Sequence, residues 1–285
     1  MVGGCQESEH RYGEALQLTR RARFAAQRIP LPESLYLWQW QIGRLLRATG
    51  DLPGAIDAHR RAIHTLQSIR HEMGSIYGRA GASFRQAAGP VYFGLVDLLL
   101  QQSATLTNDA VMETRLREAQ DAIELLKAVE LADYFQDECV ARANKAQLDI
   151  VSQTAVVIYP IILADRLELL VAFPSGLRRF TVPVGADELT RTVRTFRRFV
   201  QNRTTRRYLP PAWQLYDWLI RPLEAALQDV NIDTLVFVPD GPLRTIPMAA
   251  LHDREQFWGI FHVSGKVVNS LSGMARGRRS SAVGP

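Results

Sequence analysis

The fold class this sequence predicts is α followed by α/β: a helical, repeat-built front half, then a sandwich of helices on a sheet. Three observations predict it. A pair of short motifs recurs near the start, the hydrophobic period changes from helical to strand-like after Asp149, and a strand runs into Pro239-Asp240-Gly241-Pro242. At roughly 100–200 residues per domain, a chain of 285 residues is long enough for about two domains. Hydrophobic residues at 47% and charged residues at 22% are ordinary for a globular protein and exclude a fibrous or disordered chain.

The repeat is read from Ala15-Leu16 and Arg20-Arg21-Ala22, which recur 40 residues later as Ala55-Ile56 and Arg60-Arg61-Ala62. The spacing suits two-helix units that stack, with small residues where neighbouring helices approach. The clearest unit spans Tyr36 to Ile69. Its first helix carries Ile42-Gly43 and Leu46, Gly50-Asp51 breaks the chain, and its second helix carries Ala55, His59 and Ala62. These residues resemble a tetratricopeptide repeat, with Gln39 where that family favours Trp, His59 where it favours another aromatic, and Gln67 where it favours Pro. Ala15 to Ala22 reads as the second helix of a preceding repeat, so the chain is expected to start inside the array. Tyr92 to Gln102 and Thr114 to Leu131 pair as a further hairpin across Thr107-Asn108-Asp109, and the array fills residues 1–150. The resemblance implies a concave groove with Leu37, Trp40, Arg44 and Arg47 facing inward. An aromatic and two guanidiniums suit a protein or peptide partner; the structural alternative is that Trp40 packs against the next hairpin.

After Asp149 short apolar strands take over: Ala155 to Tyr159, Leu167 to Phe173, and the alternating Arg178 to Pro183. A helix follows from Asp187, with Asp187 and Glu188 in the opening turn where carboxylates favour the helix dipole. A second helix runs from Pro211 to Leu227, and a strand from Thr234 to Val238. Strands alternating with helices imply an α/β sandwich over residues 151–265. In the turn that follows, Pro239 ends the ladder, Asp240 is expected to bond a nearby backbone amide, and Gly241 to take a positive φ. Pro247 fits a helix start, and Met248 and Leu251 are expected to pack on the sheet.

Leu235 to Asp253 is similar to the signature of CHAT domains, caspase-like modules often found behind tetratricopeptide repeats. Ala122 to Lys127, Glu130-Leu131, Asp133 to Phe135, Tyr159-Pro160 and Asp165 to Leu167 agree with the approach to that domain, so the resemblance covers about Tyr92 to Asp253. It implies a caspase-type fold and, in complete members, a cysteine peptidase whose His and Cys lie on later strands. Pro239, Asp240, Gly241, Arg244 and Pro247 are then candidates for a pocket rim, or else turn and sheet-edge structure. No cysteine follows Cys139, Cys5 and Cys139 both precede the strands, and His262 falls too early for the family's His-Gly. The expected molecule is therefore a protein-interaction fragment without peptidase activity, ending before the catalytic part, with 266–285 as a disordered basic tail and an uncovered sheet edge. The competing expectation is part of a caspase-like cysteine endopeptidase.

Other chemistry is excluded by spacing. Gly259 to Lys266 is too long for a phosphate loop, His59, His64 and His71 lack zinc spacing, and there is no G-x-S-x-G elbow, so no cofactor and no metal are expected. Two cysteines suit a reducing cytoplasm, and Val91 to Leu100 is too short to span a bilayer. The net charge of +5 is local: Arg191, Arg194, Arg197, Arg198, Arg203, Arg206 and Arg207 lie in a stretch without an acid, with Leu189, Val193, Phe196 and Val200 behind them. This reads as a core-packed helix with a solvated charged side rather than a nucleic-acid or membrane surface.

Overall fold

The structure, a computed structural model, describes residues 11–28, 32–69, 84–135, 155–201, 206–228, 230, 234–257 and 266–269. It divides into two compact units, Met1–Asp149 and Ile150–Pro285. The first holds helices α1 (Tyr12–Arg28), α2 (Pro32–Ala48), α3 (Leu52–Ser68), α4 (Phe84–Thr105) and α5 (Asp109–Phe135). Each packs on the next in chain order. Ala15 of α1 and Ala55 of α3, the recurring alanines, are both fully buried, and both helices pack against α2. Small side chains there let the helix axes approach. Between α2 and α3 the chain turns at Gly50, whose φ of +83° is open to glycine, and Asp51 caps α3 by accepting from the Gly54 amide at 2.9 Å. The helix read from Tyr92 begins earlier, at Phe84, and carries Pro90 inside it on an exposed position.

The second unit is a mixed sheet with helices. Its strands are β1 (Ala155–Ile162), β2 (Leu167–Phe173), β3 (Gly176–Val182), β4 (Thr234–Phe237) and β5 (Lys266–Asn269), in the order β3-β2-β1-β4-β5. β1 and β2 pair antiparallel, as do β2 and β3, while β4 runs parallel to β1 and β5 parallel to β4. Val157 stands opposite Ala172 on one side and Val236 on the other. Both faces of β1 are buried, as its near-continuous apolar run requires. Helix α6 (Ala186–Val200) buries Leu189, Val193 and Phe196, and α7 (Leu209–Leu219) buries Leu215, Tyr216 and Leu219, in one core with Val156, Ile158, Leu169, Val171 and Phe237.

Two expectations are corrected. The single helix read over Pro211 to Leu227 breaks after α7 into a 3-10 turn, Arg221–Leu223, and a short α8 (Glu224–Gln228). Pro222 causes the break, since it has no amide to donate and its ring crowds the preceding turn. The disordered tail read over 266–285 starts with a strand, for Lys266–Asn269 pair along β4 with Val236 opposite Val268. Only two valines mark that strand in the sequence; it forms because the outer edge of β4 offers unpaired backbone groups. β4 is therefore not the uncovered edge that the sequence predicts.

Candidate functional site

The strand-end segment is built from backbone constraints. The Val238 amide donates to the Ile158 carbonyl at 2.9 Å, the last rung before Pro239 removes a donor. Gly241 then takes a φ of +50°, and the 3-10 turn Gly241–Thr245 closes when the Leu243 amide donates to the Asp240 carbonyl at 3.1 Å. Asp240 does not cap this turn through its side chain, contrary to the sequence expectation. Its carboxylate, on a residue 7% exposed, instead accepts from Arg244 Nη2 at 3.1 Å. The guanidinium four residues on reaches it because the tight turn folds back over the strand end. A buried carboxylate is better satisfied by a cation than by one amide. Pro247 is exposed and precedes the turn Met248–Ala250, which drops Met248 and Leu251 into the core. Asp240, Gly241 and Arg244 thus share one place, beyond the carboxyl ends of the parallel β1 and β4, where open α/β sheets form their crevices.

Immediately downstream is a feature that sequence reasoning missed. His252 and Phe257 form an isolated antiparallel bridge, and the turn between them holds Arg254 at a φ of 95°. Asp253 Oδ1 accepts from the Glu255 and Gln256 amides at 2.8 and 2.7 Å, and His252 Nδ1 accepts from the Arg254 amide at 2.9 Å. With Nδ1 accepting, the neutral ring carries its proton on Nε2. The ring packs edge-on against Phe257 at 4.7 Å. Arg254 reaches back to α7, bonding Asp217 Oδ2 at 2.7 Å, while Arg221 takes Oδ1 of the same residue at 2.6 Å. Beside them the Tyr216 hydroxyl donates to Glu224 at 2.6 Å, and burial, with that hydrogen bond, raises the phenol well above its usual range. The available signal was Leu251-His252-Asp253, an imidazole and a turn-forming carboxylate directly behind the motif. Cys5, Cys139 and His262 lie outside the described residues, so the turn brings no thiol to His252 among those described.

Residues 209–284 match the CHAT domain. The CHAT domain is caspase-like and peptidase-related. The match takes in α7, β4, the Asp240–Arg244 turn and β5. Its bounds differ from those of the sequence resemblance: it starts at residue 209 rather than near Tyr92, and it continues past Asp253 to residue 284. The residues of the CHAT segment from 266 onward carry weak local signals, which is why they read as tail in the sequence. No curated protein matches the chain.

In the helical unit the candidate groove residues fall on α2. Leu37 is 45% exposed, Trp40 is half-buried, and Arg44 and Arg47 are exposed. The Arg44 guanidinium lies over the Trp40 ring, 5.1 Å from its centroid, and also donates to Gln41. Arg47 meets Asp97 of α4 at 2.7 Å. The structure therefore brings Trp40 and Arg44 into contact and ties Arg47 to the neighbouring hairpin. An open cleft of about 240 Å³ lies among α3, α4 and α5, floored by Ile63, Leu95, Ala122 and Leu125. Its wall is a two-pronged pair in which Arg60 donates to Glu118 at 2.6 and 2.7 Å. Among the described residues, no helix is long and apolar enough to cross a membrane.

Proposed function

We propose that this chain is a protein-recognition molecule coupled to a caspase-like module, its helical unit a tetratricopeptide-type array whose groove takes an acidic peptide. The observation that carries the reading is the α2 face, where Trp40 and Arg44 stack and Arg47 stands beside Asp97 of α4. A peptide carboxylate entering there competes with Asp97 for Arg47 and gains the Arg44 charge, while its neighbours pack on the indole. Support also comes from the sequential helix packing and the buried alanines spaced one repeat apart. Calorimetric titration of acid-rich peptides against their amide counterparts tests it. The double variant Arg44→Glu, Arg47→Glu is expected to weaken binding at least tenfold, about 1.4 kcal/mol. Equal affinity of variant and parent overturns the groove.

The same reading takes the chain, in a reducing cytoplasm, as inactive in peptide cleavage. The CHAT segment contains no cysteine, and a caspase-type reaction needs a thiolate beside a base to attack the peptide carbonyl. A second reading, in which the chain forms part of a caspase-like cysteine endopeptidase, draws support from the CHAT match and from the place of Asp240 and Arg244 at the carboxyl end of β4. There the two side chains would line the rim of a pocket completed from elsewhere.

A further inference from the structure

Six arginines of the sheet unit are exposed: Arg191, Arg194, Arg197 and Arg198 on α6, and Arg206 and Arg207 just before α7. Among the described residues, no carboxylate pairs with any of the six; Arg198 lies over the Phe199 ring at 4.8 Å. Many arginines elsewhere in the chain are neutralised. Arg47 has Asp97, Arg60 has Glu118, Arg166 has Glu168, Arg244 has Asp240, and Arg221 and Arg254 share Asp217. On α6 the exposed acids, Asp187 and Glu188, are confined to the first turn, and every charged residue from Arg191 onward is an arginine, whereas an ordinary solvated face intersperses both signs along its length. Arg197 and Arg198 complement the negative end of the helix dipole, which accounts for those two, but Arg191 and Arg194 lie outside the last turn.

Spacing makes the charges act together. Residues 191, 194 and 198 are three and four apart and share one side of α6. At about 1.5 Å of rise per residue they span about 10 Å, roughly one Debye length, so their potentials add. The other side of the helix is committed, with Leu189, Val193 and Phe196 at most 1% exposed in the core. It has no apolar face left to enter a bilayer. Among the described residues, no large aromatic is exposed on the stripe for bases to stack on, so the partner is recognised by charge. A phosphodiester backbone supplies closely spaced charges, one per about 3.4 Å of each duplex strand, and meets all these guanidiniums without a particular sequence. We infer that α6 and the Arg206-Arg207 segment bind the sugar-phosphate backbone of nucleic acid without sequence preference. This replaces the solvated-face reading and is independent of the α2 groove.

The test is fluorescence anisotropy of the full chain with a labelled mixed-sequence duplex across a salt series starting near roughly 50 mM. Saturable binding is expected, with a log–log salt slope of about −0.9 for each arginine engaged. The triple variant Arg191→Glu, Arg194→Glu, Arg198→Glu is expected to lose at least tenfold in affinity, whereas Arg→Lys at the same positions retains it. If the triple variant melts early by circular dichroism, the single variant Arg194→Glu reports instead, with a slope shallower by about 1. Absence of saturable binding overturns the inference, as does unchanged affinity in the reversed variants. Tighter binding to polyglutamate or to phosphatidylserine vesicles than to the duplex overturns it as well.

Discussion

The two units each bury a titratable side chain almost completely, and they satisfy it in opposite ways. In the helical unit His59 is 2% exposed, and its ring fills space that a Cβ at Gly43 or Gly94 would enter, 2.4 Å from Nδ1 or 2.6 Å from Nε2. Nδ1 bonds the Ala55 carbonyl at 2.9 Å. Burial pushes the imidazole below its ordinary pKa of 6.5, the Ala55 hydrogen bond opposes this, Arg47 and Arg44 add to the lowering, and Asp97 raises it. In the sheet unit Glu168 of β2 is 1% exposed and is met by Arg166 at 2.7 Å and Thr181 at 2.8 Å, with Arg179 at 4.0 Å. Packed helices make room by deleting a methyl group, so an aromatic ring is housed by shape. Strand neighbours stand opposite one another, Glu168 facing Thr181 across the β2–β3 ladder, so a carboxylate is housed by partners.

Breaking the sheet-unit solution carries the largest expected effect. Arg166→Ala leaves Glu168 buried without its closest cation and is expected to destabilise by about 3 kcal/mol in urea unfolding followed by near-UV circular dichroism. A loss below about 1 kcal/mol would show that Arg179 swings in to replace it and that the site is less committed than its geometry implies. The helical solution breaks by overfilling. Gly94→Ala is expected to cost about 2 kcal/mol against His59, net of the helix propensity that alanine gains. Adding His59→Ala should restore most of it, and a Gly94→Ala protein as stable as its parent, measured the same way, would mean the ring is not held there.

The smallest effect is protonic. The folded pKa of His59 lies below the unfolded 6.5, so the neutral ring gives full stability above that value. Below it the unfolded chain takes up a proton that the folded chain resists, and stability falls by about 1.4 kcal/mol per pH unit until the folded pKa is reached. The difference in stability between parent and His59→Gln, measured from pH 7 to pH 5, should therefore shrink as acid is added. A constant difference would remove His59 from the acid response.

Legibility from sequence followed how local each signal was. The amphipathic period of α6 names its buried face, Leu189, Val193 and Phe196, without any tertiary knowledge. The positive φ of Gly241 follows from its place in a Pro-Asp-Gly-Pro turn. The partners of the same segment did not follow. Asp240 reads as a capping carboxylate, yet it takes Arg244, because its burial depends on how the turn folds over the strand end. Arg254 gains meaning only through Asp217 of α7, a contact 37 residues distant in sequence, and His252 through the turn that places Arg254 there. β5 was unreadable for a similar reason: two valines make a strand when β4 lies alongside and a loop when it does not.

By itself the sequence determined the alternation of helices and strands, the change of period near residue 150, the strand-end motif that leads to the CHAT segment, and the acid-free arginine run on α6. These rest on periodicity and on backbone preferences of Gly and Pro, which act within a few residues. Only the tertiary structure decided which charges are spent and which are left over. Arg47, Arg166, Arg244 and Arg254 are committed to Asp97, Glu168, Asp240 and Asp217, while the arginines of α6 are not. Ion pairing depends on separation in space, and folding sets that separation for residues the chain keeps far apart.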